Sequence, residues 1–316
     1  MTFMTLTGPR DFFAPLYWGG AGICAAAAIL TDNVLISLAT IIIFGLPHGA
    51  LDGEMARQAL RPRLGYLWFP VFALPYLALV GLVLITWHIK PLITLNLFLA
   101  LSVWHFGGEM RDNGSSLLAG FVLGGAPLIL PCVFQPEATA ALLSAMAPPV
   151  HLIMPPLWLI VPFPVWALCV SAWLGVSPPA TRMRRLWSLF GLIVPFALLP
   201  PLQAFMIYFV AQHAPAHIES LIADCRWCRL SSAGHAFYRS LPLTFASLGI
   251  GAVMVPFYAG PLAPRMIAVT FQLLAALTLP HMIFDYLIGR APALREARTS
   301  MPKAFPARSH AHPPAP

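Results

Sequence analysis

The chain of 316 residues is 59% hydrophobic and 9% charged, with a mean hydropathy of +0.79. A water-soluble domain of this size needs more polar surface, so a soluble globular enzyme is excluded. The formal net charge of +7 comes from arginines that cluster beside apolar segments, a pattern that is typical of cytoplasmic loops in membrane proteins and argues against any nucleic-acid partner.

Apolar stretches long enough to cross a bilayer recur along almost the whole chain, separated by short polar joints. This pattern predicts an all-α polytopic transmembrane bundle of about eight to ten helical segments, in one membrane domain over residues 1–290. The predicted spans, in chain order, are residues 14–31, 34–51, 66–87, 91–107, 117–134, 152–175, 186–217, 241–259 and 266–289.

The stretch 186–217 is too long for one simple crossing and contains the pair Pro200-Pro201. Because proline breaks a helix, we predict a broken helix at this pair, whose two short halves enter and leave on the same side. The arginine clusters then fall on the cytoplasmic side, together with the N-terminus. The protein is predicted to lie in the cell (inner or plasma) membrane, with a basic, proline-rich, disordered cytoplasmic tail at 291–316.

Four predicted helices or helix ends carry a histidine that is followed four positions later by a second polar residue. Four residues make about one helical turn, so both side chains of each pair lie on one face. Polar side chains at membrane depth are costly and tend to mark a functional site inside the bundle. The four pairs are His48 with Asp52, His105 with Glu109, His213 with His217, and His281 with Asp285.

These histidines predict a metal site. Neutral imidazole binds iron, copper and zinc, and His213 and His217 can supply two ligands to one ion from a single helical turn. The remaining ligands are predicted to be His48 and His105, while His281 is either a fifth participant or a group behind the ligands. Acids are predicted to accept the other N–H of a metal-bound histidine, with direct ligation as the alternative. These acids are Asp52, Glu109 and Asp285.

Four sequence strings surround the polar pairs: GLPHGALDGEM (45–55), WHFGGE (104–109), YFVAQHAPAH (208–217) and LPHMIFDYL (279–287). In this order in a multi-helix chain, they resemble the Brp/Blh family of bacterial and archaeal membrane β-carotene 15,15′-dioxygenases. The resemblance covers roughly residues 34–290, and PHGALD is its most specific string.

The resemblance implies an enzyme that uses non-haem Fe(II) and dioxygen to cleave the central double bond of β-carotene into two molecules of all-trans-retinal. It also implies a functional link to a retinal-binding rhodopsin. The third family motif usually reads nearer H-S-x-R-H, whereas this chain has Ala214 and Ala216, so substrate position, cleavage site and rate stay open. The histidines that the resemblance assigns to iron are His48, His105, His213 and His217.

Aromatic residues beside these histidines are candidates for lining a tunnel that holds the polyene. Taken singly, each is explained equally well by ordinary packing or by anchoring at the membrane interface. The candidates are Trp104, Phe106, Tyr208, Phe209, Phe284 and Tyr286. The sequence leaves the preferred carotenoid and the oligomeric state open.

Two other functions remain as alternatives. A membrane di-iron desaturase or hydroxylase also uses histidines at helix ends, but it needs several HxxxH or HxxHH clusters, and this sequence has one HxxxH. A transporter or metal permease would carry polar residues through the whole membrane depth, whereas these histidines gather at one end of the predicted spans. Both comparisons favour a mononuclear enzyme site.

Overall fold

The regular structure of the described chain is entirely helical. The computed structural model describes residues 13–109, 117–224, 227 and 230–290. Within these ranges no strand is present, which confirms the predicted all-α fold. The tail at 291–316, which the sequence predicts to be disordered, lies outside the described residues.

The described part contains fourteen α-helices, some of them joined end to end. They are α1 (Phe13–Leu30), α2 (Val34–Thr40), α3 (Asp52–Leu64), α4 (Trp68–Ile89), α5 (Pro91–Glu109), α6 (Leu117–Phe134), α7 (Pro136–Met146), α8 (Leu157–Ile160), α9 (Phe163–Gly175), α10 (Pro179–Leu198), α11 (Pro201–Tyr208), α12 (Ala214–Ala223), α13 (Ala233–Met254) and α14 (Leu262–Arg290). A π turn (Ile41–Gly45) and a 3₁₀ turn (Leu46–Leu51) join α2 to α3, and a second π turn (Phe209–His213) joins α11 to α12.

Seven helical stretches in the described part are long and apolar enough to cross a membrane, so the chain is a multi-pass membrane protein. Their outer faces carry large apolar side chains, for example Leu74, Leu77 and Leu82 on α4, as expected for helices surrounded by lipid. The seven stretches are Phe13–Leu30, Val34–Ile89, Pro91–Gly108, Leu117–Phe134, Leu157–Gly175, Ala233–Phe257 and Leu262–Leu287.

The predicted broken helix at Pro200-Pro201 is confirmed. Helix α10 ends at Leu198, the backbone at Leu199 and Pro200 is extended, and α11 begins at Pro201. A residue that precedes proline is driven out of the helical conformation, and each proline also removes a backbone donor. The side-chain amide of Gln135 donates to the carbonyl oxygen of Leu199 at 2.6 Å, so protein rather than lipid satisfies the break.

Helices α5 and α6 meet backbone to backbone at three glycines. A Cβ atom added at Gly107 would lie 2.6 Å from the carbonyl oxygen of Gly120, and one added at Gly124 would lie 2.2 Å from the amide nitrogen of Gly107. Only glycine permits this approach, because a larger residue has no space and the neighbouring backbone cannot move aside cheaply. The contact fixes the height and rotation of His105, two residues before Gly107.

Several predicted boundaries differ from the structure, two of them by eight residues or more. The segment predicted to end as a span at 34–51 continues as a helix to Leu64, because the π turn and the 3₁₀ turn carry the backbone hydrogen bonding into polar α3. The segment predicted at 241–259 begins earlier, at Ala233, because the hydroxyl of Ser232 accepts a hydrogen bond from the first turn and caps the helix.

Candidate metal centre

His48 lies in the irregular segment between α2 and α3. The backbone widens in the π turn Ile41–Gly45 and then tightens in the 3₁₀ turn Leu46–Leu51. The ring of His48 is buried, and its Nδ1 donates a hydrogen bond to the carbonyl oxygen of Gly45. A carbonyl oxygen can only accept, so this contact selects the tautomer in which Nε2 carries the lone pair that a metal binds.

A second irregular segment carries His213 and His217. His213 is the last residue of the π turn between α11 and α12, His217 lies one turn further along α12, and both rings are buried. The ring of Phe209 lies between the two irregular segments. Its centroid is 5.4 Å from that of His48 and 5.1 Å from that of His213. The rings of Phe209, His48 and His213 therefore lie against one another.

One tyrosine joins the two π turns. The hydroxyl of Tyr17, on α1, lies 2.9 Å from the carbonyl oxygen of Val210 and 3.2 Å from that of Phe44. A π turn shifts the backbone hydrogen-bond pattern by one residue, which leaves a carbonyl group that another donor can satisfy. Close contact between the segments also depends on Gly45, because a Cβ atom there would lie 2.2 Å from the ring of Phe209.

His105 enters the cluster from a regular helix, α5. Its ring centroid lies 5.1 Å from that of His213 and 5.4 Å from that of His281. The next residue, Phe106, is buried with its ring 4.7 Å from that of His213. The close approach of α5 to α6 thus places His105 against histidines from the second half of the chain.

The histidine geometry fits a single metal ion. Among the described residues, His48, His105 and His213 form a group whose ligand nitrogens all lie within 4.8 Å of one another. The ring of His48 lies 4.9 Å from that of His213 and 5.5 Å from that of His217. Imidazoles bound to one ion at about 2.1 Å have ring centroids roughly 4.5–6.5 Å apart. Several neutral nitrogen donors of this kind suit the ferrous ion that the resemblance implies.

His281, on α14, joins the same cluster. Its ring lies 5.2 Å from that of His217, and its Nδ1 donates to the two carboxylate oxygens of Asp52 at 2.8 and 2.9 Å. The sequence pattern predicts Asp52 behind a metal-bound histidine, four residues from His48. The structure places this carboxylate against a histidine from the far end of the chain.

Tyr76 is a site residue that the sequence pattern does not reveal. Its hydroxyl donates to Oδ2 of Asp52 at 3.0 Å and lies 3.4 Å from the carbonyl oxygen of Leu277. A tyrosine in an apolar span is ordinarily explained as an interface anchor, so nothing local marks Tyr76. Only the packing of α4 against α14 brings it to Asp52.

The three predicted acids differ in their surroundings. Asp52 is 1% exposed and contacts His281. Asp285 is exposed on α14. Glu109 is the last residue of α5, and its side chain lies outside the described part of the structure. Among the described acids, Asp52 is thus the one that the fold brings to the histidines.

A cavity of about 190 Å³ opens beside the cluster. Its walls are mainly apolar, and they include two of the candidate aromatic residues, Phe106 and Phe209. Tyr208 is buried next to this wall, with its ring 5.3 Å from that of Phe106. The histidines that line the cavity are His48, His105, His213 and His281.

The other candidate aromatic residues lie further out. Phe284 packs its ring 5.2 Å from that of Phe72, which itself lines the cavity. Trp104 is 71% exposed and Tyr286 is 55% exposed. These two residues therefore present most of their surface to the surroundings of the bundle.

Two further spaces adjoin this cavity. A groove of about 540 Å³ lies between α3, α4 and α14 and shares Phe72 and Tyr76 with the cavity wall. On the other side, a space of about 60 Å³ against α6 and α7 shares Phe98, Phe106 and Phe205 with it. The groove and the smaller space are therefore neighbours of the cavity, and aromatic side chains form the walls that they share with it.

Comparisons with known proteins point to one family. The family model described as Beta-carotene 15,15'-dioxygenase matches residues 39–288. The chain is 27% identical over 329 residues to the probable beta-carotene 15,15'-dioxygenase Blh of Halobacterium salinarum, an alignment that covers 89% of this chain and 94% of that protein. It is 27% identical over 267 residues to a beta-carotene 15,15'-dioxygenase from uncultured marine bacterium 66A03, covering 82% and 95%. No solved structure matches the chain.

Proposed function

The chain belongs to the beta-carotene 15,15'-dioxygenase family, and from this premise we propose that it cleaves β-carotene with dioxygen into two molecules of all-trans-retinal. The observation that carries the proposal is a buried histidine cluster beside an apolar cavity. In this reaction the central C=C bond breaks and each of its carbons takes one oxygen atom. Both atoms of dioxygen therefore enter the products.

Four histidines would hold the ferrous ion, which supplies the redox chemistry with dioxygen when it is bound. The protein would present imidazole nitrogens to the ion, and at His48 the tautomer is already set. The carbonyl oxygen of Gly45 does this for His48, because it accepts from Nδ1 and leaves Nε2 for the metal. The proposed ligands are His48, His105, His213 and His217.

The apolar spaces suit a substrate that is insoluble in water. β-Carotene dissolves in the bilayer, so a lateral opening lets it reach the site without an aqueous step. The groove between α3, α4 and α14 would admit the polyene at Phe72 and Tyr76, which belong to both groove and cavity. Phe106 and Phe209 would contact the polyene beside the histidines, and the apolar walls would keep water from the reacting bond.

Two alanines distinguish the paired histidines from the usual family motif. Ala214 is fully buried at the start of α12, and Ala216 is half-buried. Neither side chain can form a hydrogen bond, and neither lines the cavity, so other residues would position the substrate.

The enzyme would lie in the cell membrane, with its N-terminus and the loop at 218–240 in the cytoplasm, as the arginine pattern predicts. Residues 1–290 would form the catalytic membrane domain, 291–316 would be a cytoplasmic tail, and retinal would pass to a retinal-binding rhodopsin. Topology reporters inserted in the loop 218–240 test this orientation. A signal from the opposite side of the membrane would overturn it.

Expression in β-carotene-producing bacteria tests the activity directly. Cells with the wild-type chain should lose colour and accumulate retinal, while cells with His213→Ala at equal membrane abundance should keep their colour. The absence of retinal in the wild-type cells, or equal amounts in both strains, would contradict the proposal.

Purified protein should contain about one iron per chain, since the described histidines form one cluster, and about two would favour a di-iron oxygenase.

A further inference from the structure

We propose that His281 is a fifth metal-binding histidine, held in place by Asp52 and Tyr76. The inference rests on the proposed function, because it concerns the same metal ion. It extends the metal site to α14. It also gives a role to the carboxylate of Asp52 and the hydroxyl of Tyr76, which have none in a site of four histidines.

The ring of His281 lies near three of the proposed ligands and binds Asp52 through Nδ1 alone. Nδ1 donates to Asp52, so Nε2, on the other side of the ring, faces away from the carboxylate. The ring centroid of His281 lies 5.2 Å from that of His217, 5.4 Å from that of His105 and 6.2 Å from that of His48. These separations fall within the roughly 4.5–6.5 Å expected for imidazoles around one ion. His48, His105 and His213 form the tightest group, with ligand nitrogens within 4.8 Å of one another, and His281 lies at the edge of this group, as His217 does.

Asp52 has the chemistry of a group that orients a metal-bound histidine. The carboxylate is 1% exposed and His281 is 4% exposed, so the pair lies away from water. An isolated buried carboxylate is strongly disfavoured, and Asp52 is stabilised by accepting from His281 and from Tyr76. A carboxylate on Nδ1 fixes the tautomer and makes Nε2 a better donor to metal. Asp52 is therefore a positioning residue.

Tyr76 supports the carboxylate from a third helix. Its hydroxyl donates to Oδ2 of Asp52 at 3.0 Å, while the ring forms part of the cavity wall. Removing the hydroxyl leaves the His281 contact in place, so the effect should be smaller than that of changing Asp52. The order of importance is thus His281, then Asp52, then Tyr76.

A purely structural link between α3 and α14 is the competing explanation for the pair. His281→Asn separates the two explanations, because its amide keeps an N–H donor near the position of Nδ1 and has no nitrogen near that of Nε2. A structural link survives this change, whereas a metal bond does not. The matched controls are Tyr258→Phe, which removes a hydroxyl bonded to Gln272, and Glu137→Gln at an exposed site.

Cobalt(II) titration of the full-length, metal-free protein in detergent measures both affinity and coordination through the visible absorption bands. His281→Asn should weaken binding at least about tenfold and change the band intensities, because the number of ligands falls. Asp52→Asn should weaken binding about 10–100-fold and Tyr76→Phe less than about tenfold, with the band pattern kept. Both controls should match the wild type, and thermal unfolding should show that each variant is folded.

The outcomes separate this inference from the proposed function. If His281→Asn binds cobalt with wild-type affinity and spectrum while His213→Ala loses it, the fifth ligand is overturned and the proposed function stands. If the wild-type protein binds neither cobalt nor iron, both are overturned. If His281→Asn alone loses affinity and Asp52→Asn does not, His281 remains a ligand and the roles of Asp52 and Tyr76 are overturned.

Discussion

The histidine cluster is built from two kinds of helix that are held in different ways. His48 and His213 lie on irregular segments, each with a π turn, whereas His105 and His281 lie on the regular helices α5 and α14. A π turn adds one residue, which rotates the following side chains by about 100° around the helix axis. The side chains of His48 and His213 therefore face the cluster in an orientation that they would not have on a regular α-helix.

The supports of the two kinds of helix also differ. Side chains hold the irregular segments together, because the hydroxyl of Tyr17 contacts both π turns and the ring of Phe209 fills the space over Gly45. Backbone contact holds α5 against α6 at Gly107 and Gly124. Where a side chain fills the contact, a second substitution that shortens it can make room for an added Cβ atom. Where two backbones meet, no such second substitution exists, so the two regions should respond differently to substitution.

The largest effect is expected from removing a histidine of either region. His48→Ala and His213→Ala, on irregular segments, and His105→Ala, on a regular helix, should each lower iron content and retinal formation by more than about 100-fold. Each would remove a proposed metal ligand, a larger loss than the roughly 10–100-fold that is typical for a residue behind a ligand. Iron analysis and retinal quantification check this, with exposed His88→Ala as the control. Full activity in any of the three variants would remove that histidine from the ligand set.

Gly107→Ala should come next. The new Cβ atom would lie 2.6 Å from the carbonyl oxygen of Gly120, so α5 must shift away from α6 and carry His105 with it. We expect a loss of about 1–3 kcal/mol in stability, together with reduced iron content. Denaturation of the purified protein measures the first, and Gly19→Ala, with open space around it, is the control. Wild-type iron content would show that the backbone contact does not position His105.

Gly45→Ala should also lower stability and iron content, but here a second substitution should reverse part of the loss. Its Cβ atom would meet the ring of Phe209, which is a side chain, so adding Phe209→Leu should restore part of the iron content. Iron content of the single and double variants is the measurement. No single side chain can rescue Gly107→Ala in this way. If the double variant contains no more iron than Gly45→Ala alone, the contact at Gly45 tolerates an added Cβ atom no better than the contact at Gly107 does.

Tyr17→Phe should have a smaller effect on the irregular pair. It removes a buried hydroxyl shared between the carbonyl groups of Phe44 and Val210, and the loss of such a hydrogen bond costs about 1–3 kcal/mol. Stability should fall accordingly, while iron content falls less than about tenfold because Phe209 still packs between the segments. Comparison with Tyr258→Phe separates this bridge from a general loss of a hydroxyl. Unchanged stability would show that Tyr17 does not hold the π turns.

The smallest effect is expected from Asp285→Asn. The side chain is exposed on α14, so removing its charge should change iron content and activity less than about twofold. The same measurements on Asp52→Asn provide the contrast within one residue type. An impairment as large as that of Asp52→Asn would return Asp285 to the surroundings of the metal, where the spacing from His281 predicts it.

The sequence by itself determined the features that depend on local patterns. Apolar runs predict the membrane helices, Pro200-Pro201 predicts the break between α10 and α11, and the four-residue spacing predicts which side chains share a helical face. The π turns could not be predicted from the sequence. One extra residue in a turn leaves no mark in the hydrophobic pattern when the turns on both sides of it are apolar.

Only the tertiary structure decided which helices meet. Asp52 pairs with His281 across 229 positions of the chain, and Tyr76 reaches Asp52 because α4 packs against α14. In the same way Tyr17 from α1 bridges two π turns that are far apart in sequence. Helix periodicity follows from backbone hydrogen bonds between near neighbours, whereas these contacts depend on the relative rotation and height of packed helices, which one helix does not encode alone.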